Sequence, residues 1–174
     1  MGPVNGPRVV LVGPMGVGKS TVGRLLAGRL RCGFRDTDED IVAAHGRSVR
    51  DIFTEEGEPY FRDLEKRAVR DAVTGHGGVL ALGGGAVLDA STRALLLRHP
   101  VVHLTVEHAE AMRRTGLDTP RPLLGDSPRR RWRELMEARR PLYAEVARVV
   151  VATDARSSDE VAEVVLDALG LRDA

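Results

Sequence analysis

The sequence predicts an α/β protein with three layers: a parallel sheet of five strands covered by helices on both faces. Three observations predict it. Apolar runs of strand length alternate along the chain with segments whose apolar residues recur at helical spacing. The first such run breaks into Gly13-Pro14-Met15-Gly16-Val17-Gly18-Lys19-Ser20 and then into a helical pattern, the strand–turn–helix context of a phosphate-binding loop. The length of 174 residues suits one domain, 1–174, with a sizeable core.

The elements follow in order. Residues 9–12 are apolar throughout, as a strand buried on both faces must be. Residues 20–31 carry Val22, Leu25, Leu26 and Leu30 at helical spacing and end near Cys32 and Gly33. A second strand starts at Phe34 and runs into Asp36-Thr37-Asp38. A helix over 38–44 follows, closed by His45 and Gly46. Ser48 is a good N-cap for a helix over 49–56, with Asp51 at the reciprocal position. Pro59 suits the first turn of a long helix to about residue 73. Residues 79–82 are the third strand, ending in Gly83-Gly84-Gly85; 91–98 are helical; 101–106 are the fourth strand, with a helix to Arg114 beyond it. Residues 116–128 have no apolar period and are rich in Gly and Pro. They read as a mobile lid, because long structureless loops in compact domains are usually functional. Helix returns over 129–146, with Pro141 the expected point of any bend. Residues 149–151 are the fifth strand and 158–169 the last helix.

Composition narrows the function. A net charge of +1 argues against bulk nucleic-acid binding. Basic residues are nearly all arginine, and lysine occurs only at Lys19 and Lys66. The single cysteine, Cys32, permits no intrachain disulfide and reads as a small buried apolar residue. The opening residues lack an apolar signal core and no apolar run is long enough to span a membrane, so a soluble cytoplasmic protein is expected.

The phosphate-binding loop carries the chemistry. Its glycines let backbone N–H groups turn inward as a nest for phosphate oxygens, and the helix after it aims its positive end at the same place. Lys19 is placed to reach the β- and γ-phosphates of a nucleotide, and Ser20 to hold Mg²⁺. Four further features stand at or beyond strand ends, where such sheets bind ligands. Asp36 and Asp38 could divide the work between Mg²⁺ and a substrate hydroxyl, one of them accepting its proton; the same residues also read as an acidic helix start. The Gly83-Gly84-Gly85 run exposes backbone for close approach by a ligand, or is a plain turn. Glu65 falls on the apolar stripe of its helix (Phe61, Leu64, Ala68, Val69, Ala72), where a carboxylate needs a partner. Arg62, three residues earlier, supplies one and can be oriented toward the pocket; a surface ion pair is the alternative. Arg139 shares a helical face with Trp132, Leu135, Met136, Leu142 and Tyr143, whereas Arg140 points away. An arginine among core positions meets a ligand anion or an internal carboxylate. Arg62 and Arg139 together suggest a carboxylated substrate, and Asp38 a hydroxyl beside it. Arg121, within the lid, can swing over the phosphates. Arg114 and Arg156 either flank the nucleotide base or are solvated.

These residues resemble the shikimate kinases, small P-loop proteins related to the nucleoside monophosphate kinases. The likeness runs from about residue 8 to 169. It rests on GPMGVGKST, FRDTD, the Phe61-Arg62 pair, LGGGAV, RRTG with RPLL after it, and RRPLY, in that order. The spelling is most similar to actinobacterial members. The resemblance implies a P-loop kinase fold with strand order 2-3-1-4-5 and ATP-dependent phosphorylation of the 3-hydroxyl of shikimate. Its implied nucleotide residues are Gly16, Val17, Gly18, Lys19, Ser20, Thr21, Arg114, Arg121 and Arg156. For the acceptor they are Asp38, Arg62, Gly83, Gly84, Gly85 and Arg139, with Phe53 and Phe61 as pocket walls in a helical region over about 37–65. Asp38 is implied as base, Lys19 and Arg121 as the other catalytic groups, and Asp36 as joining Ser20 around Mg²⁺ through water. A cytoplasmic, usually monomeric enzyme of aromatic amino acid biosynthesis is implied as well. Two other readings stand beside it: a kinase for another carboxylated polyol such as gluconate, and a non-catalytic nucleotide-binding domain. A guanine-reading N-K-x-D motif is absent, and the segment ATDARSS after strand five matches the family only loosely.

Overall fold

In the computed structural model, residues 6–115 and 128–172 are described. The predicted lid therefore lies, apart from its last residue, outside the described residues, and Arg121 with it. The chain runs β1 (Val9–Val12), α1 (Lys19–Leu30), β2 (Phe34–Asp36), α2 (Thr37–His45), α3 (Val49–Glu56), α4 (Glu58–Gly75) and β3 (Val79–Ala81). A 3₁₀ turn at Ala86–Leu88 follows, then α5 (Ala90–Leu96), β4 (Val101–Thr105), α6 (His108–Thr115), α7 (Pro128–Val146), β5 (Val149–Ala152) and α8 (Ser158–Leu169). The strands form one sheet in the order β2-β3-β1-β4-β5, every pair parallel, with Val9 opposite Val79, Val10 opposite Val101 and Val102 opposite Val149.

Period-two alternation divides the core. Val9 and Leu11 of β1 pack with Val22, Leu26, Val161 and Val165 of α1 and α8 on one face. Val10 and Val12 pack with Val69, Leu96, Met136 and Tyr143 of α4, α5 and α7 on the other. Both faces of β1 are thus dry, which explains its four consecutive apolar residues. A satellite cluster of Ile41, Ile52 and Phe61 ties α2, α3 and α4 together beyond the edge of β2. Cys32 is half-buried against the α1 side, less enclosed than its composition class suggests.

Helix starts reveal what the loops do. Asp36 caps α2, Ser48 caps α3, Asp89 caps α5 and Ser157 caps α8, each through a side-chain acceptor. Only the α8 cap is reciprocated, by Glu160. At α3 the Ser48 hydroxyl accepts from the Asp51 N–H. By contrast, α1 starts at Gly18, whose φ of 95° is left-handed, with no side-chain cap and no acidic residue in its first turn. Its first N–H groups are left facing the turn of the phosphate-binding loop. The five strands deliver their carboxyl ends to that same side, and among the described residues no helix is long and apolar enough to cross a membrane.

Candidate active site

The phosphate-binding loop joins β1 to α1. Lys19 folds back over it, donating from Nζ to the carbonyls of Gly13 (2.8 Å) and Pro14 (2.9 Å). Burial lowers the Lys19 pKa to about 8. The charges of Asp38 and Asp36 oppose that shift, and Arg139 adds to it. The Ser20 hydroxyl donates to Asp36 Oδ2 at 2.8 Å. The other oxygen of Asp36 accepts from the backbone N–H groups of Asp38 (2.8 Å) and Glu39 (3.2 Å). One carboxylate thus caps α2 and points at the loop serine. A hydroxyl and a carboxylate oxygen side by side fit Mg²⁺, which keeps several waters and takes its remaining ligands from phosphates. Among the described residues no cluster of three or more His, Cys, Asp or Glu forms a full protein cage for a metal.

Next to the loop lies a cavity of roughly 590 Å³, bounded by the end of β2, the start of α4, the glycine turn after β3 and α7; that volume suits a small ligand. Asp38, Arg62 and Arg139 all line it. Glu65 is 3 % exposed, on the buried stripe of α4. It accepts from Arg62 Nη1 at 2.8 Å, and Glu58 accepts from Arg62 Nε at 3.3 Å. The Arg62 guanidinium lies over the rings of Phe53 and Phe61, at 5.4 Å from each centroid, and those rings are 4.7 Å apart. Two carboxylates and two rings therefore fix this arginine. Arg139 is half-buried while Arg140 is exposed, as the helical face predicts. Two buried polar atoms in this cavity have no hydrogen-bond partner among the described residues, Asp38 Oδ1 and Arg139 Nε. Buried polar atoms are seldom left so; a ligand offering a hydroxyl and an anionic oxygen satisfies both.

Burial raises the Asp38 pKa, and the charge of Asp36 raises it further, against the pull of Lys19 and Arg62. Burial also raises that of Glu65, against Arg62. An aspartate with elevated proton affinity beside a cationic loop has the properties of a general base.

The glycine turn differs from its sequence reading in one respect. Gly83 and Gly85 are buried rather than open to solvent. Their role is space. A Cβ at Gly83 would stand 2.6 Å from Asp38 Oδ1, and one at Gly85 2.2 Å from Arg62 Nη1. The missing side chains let the Asp38 carboxylate and the Arg62 guanidinium close over the turn. The Gly84 carbonyl accepts from the Tyr143 hydroxyl at 2.6 Å.

On the other side of the loop, Arg114 and Arg156 line one groove with Gly16, Val17 and Gly18. Arg114 is held by Glu110 Oε1 (3.0 Å) and by the Thr153 hydroxyl (3.1 Å), which itself donates to the Thr105 carbonyl. Arg156 donates to the Ala152 carbonyl at 2.8 Å. Sequence reasoning missed Thr153 and the hydroxyl of Tyr143 as site components. Tyr143 had a signal, its place on the face of Arg139; a lone threonine after a strand has none.

Sheet order, loop and flanking helices define a P-loop kinase. The sequence pattern described as shikimate kinase matches residues 15–170. A shikimate kinase of Streptomyces avermitilis is 68 % identical over 97 % of this chain and 98 % of its own length. One from Streptomyces coelicolor is 61 % identical over 98 % and 100 %. Among solved structures, the shikimate kinase from Acinetobacter baumannii in complex with shikimate superposes with a TM-score of 0.86 at 36 % identity, covering 97 % of this chain and 94 % of that one. The chain belongs to the shikimate kinase family, and ATP is its co-substrate.

Proposed function

We propose that this chain transfers the γ-phosphoryl group of ATP to the 3-hydroxyl of shikimate, giving shikimate 3-phosphate and ADP on the route to the aromatic amino acids. The observation that carries the acceptor assignment is the pairing of the unpartnered Asp38 Oδ1 with the unpartnered Arg139 Nε in one cavity beside the loop. Arg62 and Arg139 take the acceptor carboxylate, and Phe53 and Phe61 wall the ring. Asp38 accepts the proton of the 3-hydroxyl as its oxygen bonds to the γ-phosphorus. The bond from that phosphorus to the bridging oxygen breaks, and ADP leaves with the electron pair. In a loose phosphoryl transfer most catalysis is positioning and charge stabilisation. Here Lys19, Ser20, Thr21 and the N–H groups of Gly16, Val17 and Gly18 supply it. Mg²⁺, held by Ser20 and Asp36 through water, would neutralise charge on the phosphates. Arg114 and Arg156 flank the base, and Arg121 closes from the lid at 116–128. The chain acts as one catalytic unit over 1–174, a cytoplasmic monomer without nucleic-acid or membrane partners; its net charge of +1 accords with the absence of a nucleic-acid role.

The test is ADP release with Mg-ATP and a panel of acceptors. Shikimate should stimulate it strongly, and gluconate and quinate should leave it near the rate without acceptor. Equal stimulation by gluconate would replace the acceptor assignment with the broader polyol reading.

Lys19 supplies a separate expectation. Its pKa of about 8 belongs to the free loop, and anionic phosphates must raise it. Binding of an ATP analogue at pH 8 should therefore take up about half a proton from buffer. Calorimetry in buffers of different ionisation enthalpy reads this directly. Lys19→Met should abolish the buffer dependence, and its absence in the unaltered protein would contradict the depressed pKa.

A further inference from the structure

One buried hydroxyl has no place in the mechanism so far. Tyr143 of α7 is 0 % exposed. Its hydroxyl donates to the Gly84 carbonyl at 2.6 Å and faces the guanidinium of Arg139, whose Nη1 would lie 3.6 Å from a Cβ at Gly84. A phenol has one donor and two acceptor positions, so with its donor spent on Gly84 it turns acceptor lone pairs toward that cation. The hydroxyl thus ties the glycine turn to α7 and steadies the guanidinium, which keeps its unpartnered Nε for a ligand. Gly84 in turn lies against the phosphate-binding loop, where a Cβ would be 3.5 Å from the Gly13 carbonyl oxygen and from the Met15 nitrogen. The tyrosine ring is held from behind by His103 of β4, with ring centroids 4.8 Å apart. Burial, with help from Arg140 and Lys19, keeps that imidazole neutral, its pKa about 4, so no charge competes with Arg139 there.

We propose that the Tyr143 hydroxyl is a positioning group for the phosphoryl acceptor. It orients Arg139 and sets the distance between that arginine and the phosphate-binding loop, and so governs affinity for the acceptor carboxylate. The inference rests on the reading of this cavity as the shikimate site. A tyrosine that merely filled the core would contribute through its ring; here the hydroxyl carries the effect, through Arg139.

The experiment is a double-mutant cycle on shikimate affinity, comparing the unaltered chain, Tyr143→Phe, Arg139→Ala and the double variant. Titration by calorimetry serves the tight members and by NMR the weak ones, with thermal midpoints recorded for all four. Tyr143→Phe keeps the ring and its packing, so a folded variant is expected. It should weaken shikimate binding on the order of tenfold, the loss of one polar contact to a charged group, and leave affinity for ATP within about twofold. In the Arg139→Ala background the same change should alter shikimate affinity by less than about twofold, since the group it positions is gone. Unchanged affinity in Tyr143→Phe overturns the proposal. So does an undiminished tyrosine effect without Arg139, which would mean general packing. Should Arg139→Ala itself bind shikimate like the unaltered chain, it is the acceptor-site reading that fails, and the role of Tyr143 falls with it.

Discussion

Asp38→Asn should lower kcat by about 10³-fold while ATP affinity stays within about twofold. The substitution keeps the size and shape of the side chain, exchanges one acceptor oxygen for an amide donor, and removes its ability to accept a proton; general-base contributions are typically 10²- to 10⁴-fold. The unpartnered Oδ1 and a pKa raised by burial and by Asp36 make Asp38 the group whose loss costs most. The same shift fixes a pH dependence. The base works only when ionised, and its pKa in the free enzyme lies above that of an ordinary aspartate. As pH falls through that elevated value, kcat/KM should fall, and the acid limb should sit at higher pH than an unperturbed carboxylate gives. The residual activity of Asp38→Asn should lack this limb. Single-turnover kinetics across pH check both points. An asparagine variant with near-native kcat would remove Asp38 from the chemistry.

Gly85→Ala should raise KM for shikimate by about 10- to 100-fold. The added methyl would stand 2.2 Å from Arg62 Nη1. That nitrogen ends a long flexible side chain, which can swing aside, at the cost of leaving the buried Glu65 carboxylate without its partner. Swinging aside takes Arg62 away from Glu65 and from the acceptor carboxylate, and a charge-assisted hydrogen bond of this kind contributes about 1.5–3 kcal/mol. Gly78→Ala is the contrasting control. There the methyl would meet the Gly33 carbonyl oxygen at 2.2 Å, where β2 and β3 begin, and backbone cannot swing aside. That variant should lose about 1–3 kcal/mol of stability and keep a near-native KM in its folded fraction. Thermal melts with steady-state kinetics separate the two; a Gly85→Ala protein with unchanged KM would show that Arg62 does not need its observed position.

Most of the fold was legible because burial on both faces of the sheet writes itself as short apolar runs, and one-sided burial of helices as stripes. Boundaries moved by one or two residues, in places where a cap decided them. α5 begins at Ala90 because the Asp89 carboxylate accepts from the Thr92 N–H at 2.8 Å, and α4 begins at Glu58 after Gly57. Glu65 and Arg139 were legible as site residues because a charge on an apolar stripe contradicts its surroundings. The glycine turn was misjudged as open backbone, since sequence does not show that Asp38 and Arg62, on other elements, close over it. Thr153 was illegible for the same reason, because its partner Arg114 lies far away in the chain; Tyr143 carried a signal in its place on the face of Arg139, but its bond to Gly84 did not.

The most direct test of the central claim is the position of the phosphate in the product. The purified protein is incubated with Mg-ATP and shikimate, and the product is examined by phosphorus–proton correlation NMR. A single new phosphomonoester coupled to the proton on C3, formed in step with ADP, is the predicted result. Phosphorus coupled to another ring proton, or ADP accompanied only by free phosphate, would contradict the placement of the 3-hydroxyl at Asp38.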